Sequence, residues 1–170
     1  MGLFDFLKKD GAAAPETSGF PFVLGAPANG MFLLMEQIPD EVFSGGVLGV
    51  CCGIDPEEGK VFSPADGKIS QVADTGHAVG IETSGIDLLI HVGVDTVEMN
   101  GDGFHVNVNA GQKVKKGDLL LTMDLQKIHD AGHPATVIMA VTNTDDFSAV
   151  EGIGSGVVQA GDDVLKVSKP

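Results

Sequence analysis

The sequence predicts an all-β fold, an antiparallel sandwich or barrel with at most short helical turns, on three observations. Short apolar runs recur at roughly 8–12 residue spacing, each closed by Gly, Pro, Asn or Asp, as in small sandwiches and barrels. Twenty-four glycines and eight prolines supply turns, while a 43% apolar fraction, with Phe the sole aromatic type, supplies a core. Finally, Ala26-Pro27-Ala28-Asn29-Gly30 returns 37 residues later as Ser63-Pro64-Ala65-Asp66-Gly67, each copy leading into a strand-like run. Proline presets the turn's φ and glycine accepts φ > 0. The echo predicts two similar half-units forming one sandwich, too few copies for a solenoid.

Met1–Asp10 reads MGLFDFLKKD and would place Leu3, Phe4 and Leu7 on one helical face, with Lys8 and Lys9 beyond. Too short for a stable helix in water, it suits docking on an anionic membrane surface. Gly11–Gly19 has linker composition. Residues 1–19 are therefore expected to be a flexible, membrane-touching tail, and residues 20–170 one domain. Strands are expected at Pro21–Gly25, Met31–Met35, Val47–Ile54, Lys60–Phe62, Lys68–Ala73, His77–Thr83, Ile86–Val92, Phe104–Val108, Leu119–Met123, Thr136–Val141 and Val164–Val167. Leu125–Ala131 is expected to be helical until Gly132 and Pro134 stop it. Ala110–Leu120 alternates glycine turns with a valine-centred segment, a tight β corner.

Ten basic against 24 acidic residues leave a net charge of −14. Such a surface repels nucleic acid and steers basic proteins into encounter. No apolar run approaches the ~20 residues that span a bilayer, and no secretory signal is evident, so a cytoplasmic protein is expected. Adjacent Cys51 and Cys52 are expected to be reduced, buried thiols rather than a disulfide or a zinc site.

The chemistry concentrates on two histidines. In Gly85-Ile86-Asp87-Leu88-Leu89-Ile90-His91-Val92-Gly93-Val94-Asp95-Thr96-Val97, His91 closes an apolar strand, and His77 lies upstream in the preceding strand-like segment. Strand alternation would put His77, Val79 and Ile81 on one face, and Leu89 and His91 on one face. A three-residue Thr83-Ser84-Gly85 loop would set His77 opposite His91. A two-residue Ser84-Gly85 loop would set His77 opposite Val92 and send the imidazoles to opposite faces. Paired imidazoles suit phosphoryl relay, one ring as nucleophile and the other as hydrogen-bond donor to phosphoryl oxygens, with backbone N–H groups around Gly93 assisting. They also suit zinc, which takes neutral imidazole nitrogen.

Gly85–Val97 resembles, at every position, the phosphorylation-site signature of the glucose-type enzyme IIA of the bacterial phosphoenolpyruvate:sugar phosphotransferase system. The resemblance extends to Ile38–Phe43, Ser63–Gly67, Thr75–Ala78, Gly101–Phe104, Gly111–Val114, Gly117-Asp118 and the Met1–Leu7 start. It implies a β-sandwich (barrel-sandwich) of duplicated hybrid-motif type. It implies that His91 is phosphorylated through Nε2, accepting from phosphohistidine on the carrier HPr and passing the group to a cysteine of the EIIB domain of a sugar permease (EIIB/EIIC). It also implies that His77 stabilises the phosphoryl group and Thr75 orients the pair. Asp40 and Asp95 would rim the HPr-binding face, with Phe43, Val79, Leu89 and Gly93 on it. No cofactor is implied, although His77 and His91 are candidate zinc ligands. In this sequence the turn between the histidines is one residue shorter than is common in the family, and Ala73, Val79, Leu89 and Val92 fill places often aromatic, implying less aromatic anchoring.

Two alternatives compete. A zinc hydrolase of related duplicated β architecture would need His-x-His, but Val92-Gly93 follows His91; His129 and His133 have helical spacing, yet Asp130 is not the expected glutamate and Gly132 and Pro134 spoil the helix. A mainly regulatory protein would instead read out its phosphorylation state to partners.

Overall fold

The computed structural model describes residues 19–170, which form fourteen β-strands, two short α-helices and three 3-10 turns. The Met1–Asp10 segment and most of the linker lie outside the described residues. The expected all-β architecture holds. One large antiparallel sheet has eight strands in the order β13 (Val157–Val158), β2 (Gly30–Leu34), β3 (Val50–Pro56), β11 (Val137–Val141), β7 (Ile86–Val92), β6 (Ala78–Thr83), β5 (Gly67–Val72) and β9 (Lys113–Val114). Two three-stranded sheets accompany it: β1 (Phe22–Gly25), β14 (Asp163–Val167) and β12 (Val150–Gly152) in one, and β4 (Lys60–Phe62), β10 (Leu119–Met123) and β8 (Phe104–Val106) in the other.

The duplication expected from the echo is visible in the hydrogen bonds. Gly25 N–H donates to the Pro64 carbonyl (3.0 Å) and Phe62 N–H to the Pro27 carbonyl (2.7 Å), so each repeat copy bonds the other in the same way. Asn29 Oδ1 accepts from Ala160 N–H (2.6 Å), as Asp66 Oδ1 accepts from Lys116 N–H (2.8 Å). The order of the large sheet has the same symmetry: β13, β2, β3 and β11 run inward on one side as β9, β5, β6 and β7 do on the other. Cys51-Cys52-Gly53-Ile54-Asp55 of β3 therefore corresponds to Ala78-Val79-Gly80-Ile81-Glu82 of β6. Through the pairings Cys51 to Ala140 and Ala78 to His91, Ala140 stands in one half where His91 stands in the other.

The main core lies between the large sheet's inner face and the small sheets, with Ile54, Val79, Ile81, Ile90, Val92, Val137 and Met139 wholly buried there. A smaller cluster on the outer face joins Cys51, Ile138 and Ala140 to Ile38 and Phe43. Ile38 and Phe43 come from the long connection between β2 and β3, which contains the 3-10 turn Met35–Gln37 and α1 (Glu41–Ser44). In the second half the corresponding connection is only residues 73–77, and Leu89 and His91 stay half-buried on the outer face, with Phe43 of the long connection reaching the His91 ring. Alternation explains the cysteine pair: Cys52 faces the main core, Cys51 the outer cluster, and both are free thiols.

Several expectations need correction. The strand expected from Val47 starts at Val50, because Val47 and Leu48 lie in the turn after α1. α1, β9, β12 and β13 have four residues or fewer and no readable periodicity. The second helix, α2, is Leu125–Asp130, capped by Asp124, whose carboxylate accepts from Lys127 N–H (3.1 Å). Among the described residues no helix is long and apolar enough to cross a membrane.

Candidate active site

The hairpin between β6 and β7 takes the two-residue form. Thr83 pairs with Ile86, and both loop residues have positive φ, 50° at Ser84 and 80° at Gly85, as a type I′ turn requires. His91 consequently pairs with Ala78, and Val92 N–H donates to the His77 carbonyl (2.7 Å). On strict alternation the imidazoles would lie on opposite faces. They do not: their centroids are 4.9 Å apart in an edge-to-face arrangement with an 83° interplanar angle. The expected incompatibility fails because His77 is not in the strand. β6 begins at Ala78, and His77 ends a turn closed by hydrogen bonds from Gly76 N–H to the Ala73 carbonyl (2.8 Å) and from Ala73 N–H to the Ala78 carbonyl (3.0 Å). Released from alternation, His77 leaves the face of Val79 and Ile81 and meets His91.

Each imidazole is oriented by a different partner. Thr75 Oγ1 lies 2.5 Å from His77 Nδ1. The Gly93 carbonyl lies 3.0 Å from His91 Nδ1. A carbonyl only accepts, so His91 Nδ1 carries the proton and Nε2 carries the lone pair. Burial, then the neighbouring His77, pushes His91 down to about 4, despite the opposing influence of the Gly93 carbonyl, Asp40 and Asp95. Burial also lowers His77. Both imidazoles are therefore neutral at physiological pH.

Phe43 of α1 forms one wall, its ring 5.0 Å from that of His91. It is almost wholly buried, so it backs the imidazole instead of projecting to a partner as expected. Cys51 Sγ–H donates to the Phe43 carbonyl (3.4 Å), and burial followed by the charge of Asp40 pushes this thiol up to about 12. Asp40 caps α1, one carboxylate oxygen accepting from Val42 N–H (2.8 Å) and Phe43 N–H (3.3 Å). Asp95 is exposed just beyond His91, and Leu89 is half-buried on the same outer face. Val79 and Val92 are wholly buried in the main core, so neither belongs to a docking face. The N–H groups of Gly93 and Val94, expected to serve phosphoryl oxygens, instead donate to the carbonyls of Thr136 (2.7 Å) and Pro134 (3.0 Å).

The chain is similar to known proteins in the way this geometry suggests. Residues 22–147 match the model of the EIIA 1 family of the phosphoenolpyruvate-dependent sugar phosphotransferase system. The chain belongs to this family. It is 40% identical over 145 residues to a glucose-specific EIIA component from Bacillus cereus, covering 84% of this chain and 88% of that protein. It is 39% identical over 147 residues to a β-glucoside-specific EIIBCA component from Halalkalibacterium halodurans, covering 86% of this chain and 23% of that longer protein. The solved glucose permease IIA from Mycoplasma capricolum superimposes with a TM-score of 0.75 at 31% identity, covering 85% of this chain and 94% of that one. As an EIIA component the protein is a phosphotransferase, a phosphocarrier in sugar uptake. These likenesses give the zinc-hydrolase and mainly regulatory readings no support. Among the described residues no three His, Cys, Asp or Glu side chains are grouped to hold a metal ion. His105 and His129 stand away from the pair, on exposed positions of β8 and α2.

Sequence reasoning missed Thr96 as a contributor. It is fully buried, and its hydroxyl donates to the Val92 carbonyl. Its place in the Gly85–Val97 signature was the available signal.

Proposed function

We propose that His91 Nε2 accepts the phosphoryl group from phosphohistidine on HPr and passes it to a cysteine of the EIIB domain of a sugar permease. The observation that carries this reading is the Gly93 carbonyl on His91 Nδ1, which leaves Nε2 with the lone pair that attacks phosphorus. As the new N–P bond forms, the donor's N–P bond breaks and its electron pair returns to the donor imidazole. In the second step a cysteine thiolate attacks phosphorus, and the bonding pair returns to His91 Nε2. With the Thr75 hydroxyl donating to His77 Nδ1, the proton of His77 resides on Nε2, where it hydrogen-bonds a phosphoryl oxygen. The neutral pair brings no positive charge to bind the group tightly, which suits a relay that must release it.

Docking is assigned to the outer sheet face around the half-buried His91, beside the short 73–77 connection, with Leu89 on its floor and Asp40 and Asp95 at its edge. Basic side chains of HPr would meet those carboxylates, raising the on-rate more than the affinity. Relatives whose names join EIIA to EIIB and EIIC in one chain support the permease as acceptor. Such a relay operates at the cytoplasmic membrane face, where residues 1–9 would touch the headgroups. Zinc on the two imidazoles would need its remaining ligands from a partner.

Incubation with phosphoenolpyruvate, enzyme I and HPr, followed by intact-mass measurement, tests the assignment. The protein should gain one phosphoryl group, His91→Gln none, and His77→Gln should gain it yet fail to deliver it to EIIB. An undiminished gain in His91→Gln would sink the reading.

A further inference from the structure

We infer that Thr96 is a positioning residue for phosphoryl transfer: its hydroxyl and methyl group fix the Val92–Val94 backbone that presents the Gly93 carbonyl to His91. The inference rests on His91 as the acceptor and concerns how its reactive tautomer is held.

Two successive peptide planes follow His91, and each is anchored at both ends. In the plane joining Gly93 to Val94, the Gly93 carbonyl accepts from His91 Nδ1 (3.0 Å) and Val94 N–H donates to the Pro134 carbonyl (3.0 Å). In the plane joining Val92 to Gly93, Gly93 N–H donates to the Thr136 carbonyl (2.7 Å), while the Val92 carbonyl accepts from the Thr96 hydroxyl. Three anchors pair backbone or imidazole groups; Thr96 supplies the fourth through a side-chain hydroxyl. The neighbouring strand explains the need. β6 starts only at Ala78, and His77 has turned aside to meet His91, so a side chain from the following 3-10 turn, Thr96–Met99, serves the end of β7.

The methyl group performs a second task. Gly93 has φ +80°, and a Cβ built there would lie 2.2 Å from Thr96 Cγ2. Thr96 thus fills the space a side chain at Gly93 would occupy. Oγ1 holds one carbonyl while Cγ2 supports the adjacent residue. Thr96 is fully buried, so this role is distinct from contact with HPr or the phosphoryl group.

Losing the hydroxyl leaves a buried carbonyl without this donor and frees the Val92–Gly93 plane to rotate. The Gly93 carbonyl then drifts from Nδ1, and the neutral imidazole populates the other tautomer, with Nε2 protonated and unable to attack. Thr96→Val keeps shape and burial but removes the donor; Thr96→Ser keeps the donor and removes the methyl.

The test combines imidazole nitrogen shifts of His91 in the full-length unphosphorylated protein with phosphorylation rates at fixed phospho-HPr. Circular dichroism serves as the check of folding. Thr96→Val should move His91 away from the Nδ1–H tautomer and slow phosphorylation by about tenfold, the lower end of what losing a group bonded directly to a metal-binding imidazole costs. Thr96→Ser should restore both toward wild type. Wild-type nitrogen shifts in folded Thr96→Val would overturn the inference, as would equal loss in Thr96→Ser. If Thr96→Val fails to fold, absence of the Nδ1–H signature in folded Thr96→Ser overturns it, and its retention supports it. The shifts do not depend on phosphorylation, so a His91→Gln protein that still takes up phosphoryl would refute the acceptor assignment separately.

Discussion

At the residue scale, neutrality of the imidazoles has a consequence for stability. In an unfolded chain histidine titrates near 6.5, whereas folded His91 is down to about 4 and His77 is also lowered. Between those values the unfolded chain binds more protons than the folded one. The folded state is therefore favoured most above pH 6.5 and loses stability as pH falls from 6.5 toward 4. The melting temperature should fall across that window in the wild-type protein, and by less in His91→Gln, since glutamine cannot titrate. Equal slopes in the two proteins would show that His91 is not held neutral by its surroundings. The pairing of His77 with His91 was legible in the sequence as two histidines in neighbouring strand-like segments, and Thr75 entered only through the family resemblance. Their geometry was not, because alternation applies only inside a strand and His77 sits one residue outside.

At the element scale, α1 separates two roles that meet in Asp40. The side chain caps a four-residue helix, and its charge acts on His91. Asparagine caps as well as aspartate, so Asp40→Asn should change stability by only a few tenths of a kcal/mol, whereas Asp40→Ala should cost about 1 kcal/mol. Asp40→Asn should nevertheless slow association with phospho-HPr, most visibly at low salt, because the lost charge no longer steers the partner. Denaturant unfolding and stopped-flow association measure the two effects; an unaltered association rate would confine Asp40 to capping. α1 itself was invisible in the sequence as a helix. Ile38–Phe43 showed only as a matching segment, since four residues leave no periodicity to read. The short strands β12 and β13 escaped for the same reason: they are defined by their partners β14 and β2 rather than by their own composition.

At the scale of the molecule, duplication explains where the site is. The repeated Pro-Ala-Asn/Asp-Gly turn announced two halves, and the reciprocal bonds between Gly25, Pro27, Phe62 and Pro64 bind them across a local two-fold relation. What the repeat could not announce is the asymmetry laid over it. One half has a long connection whose Ile38 and Phe43 cover Cys51, Ile138 and Ala140; the other has a short turn, and His91, in the position corresponding to Ala140, stays half-buried between Phe43 and His77. An imidazole only half-buried at the sheet face suits chemistry between two proteins, because donor and acceptor must reach the same nitrogen in turn. The most direct test is nitrogen–phosphorus coupling in the 15N-labelled protein after phosphorylation by phospho-HPr. Coupling to Nε2 of His91, with His77 unmodified, is the predicted result; coupling to Nδ1 of His91 or to either nitrogen of His77 would contradict it.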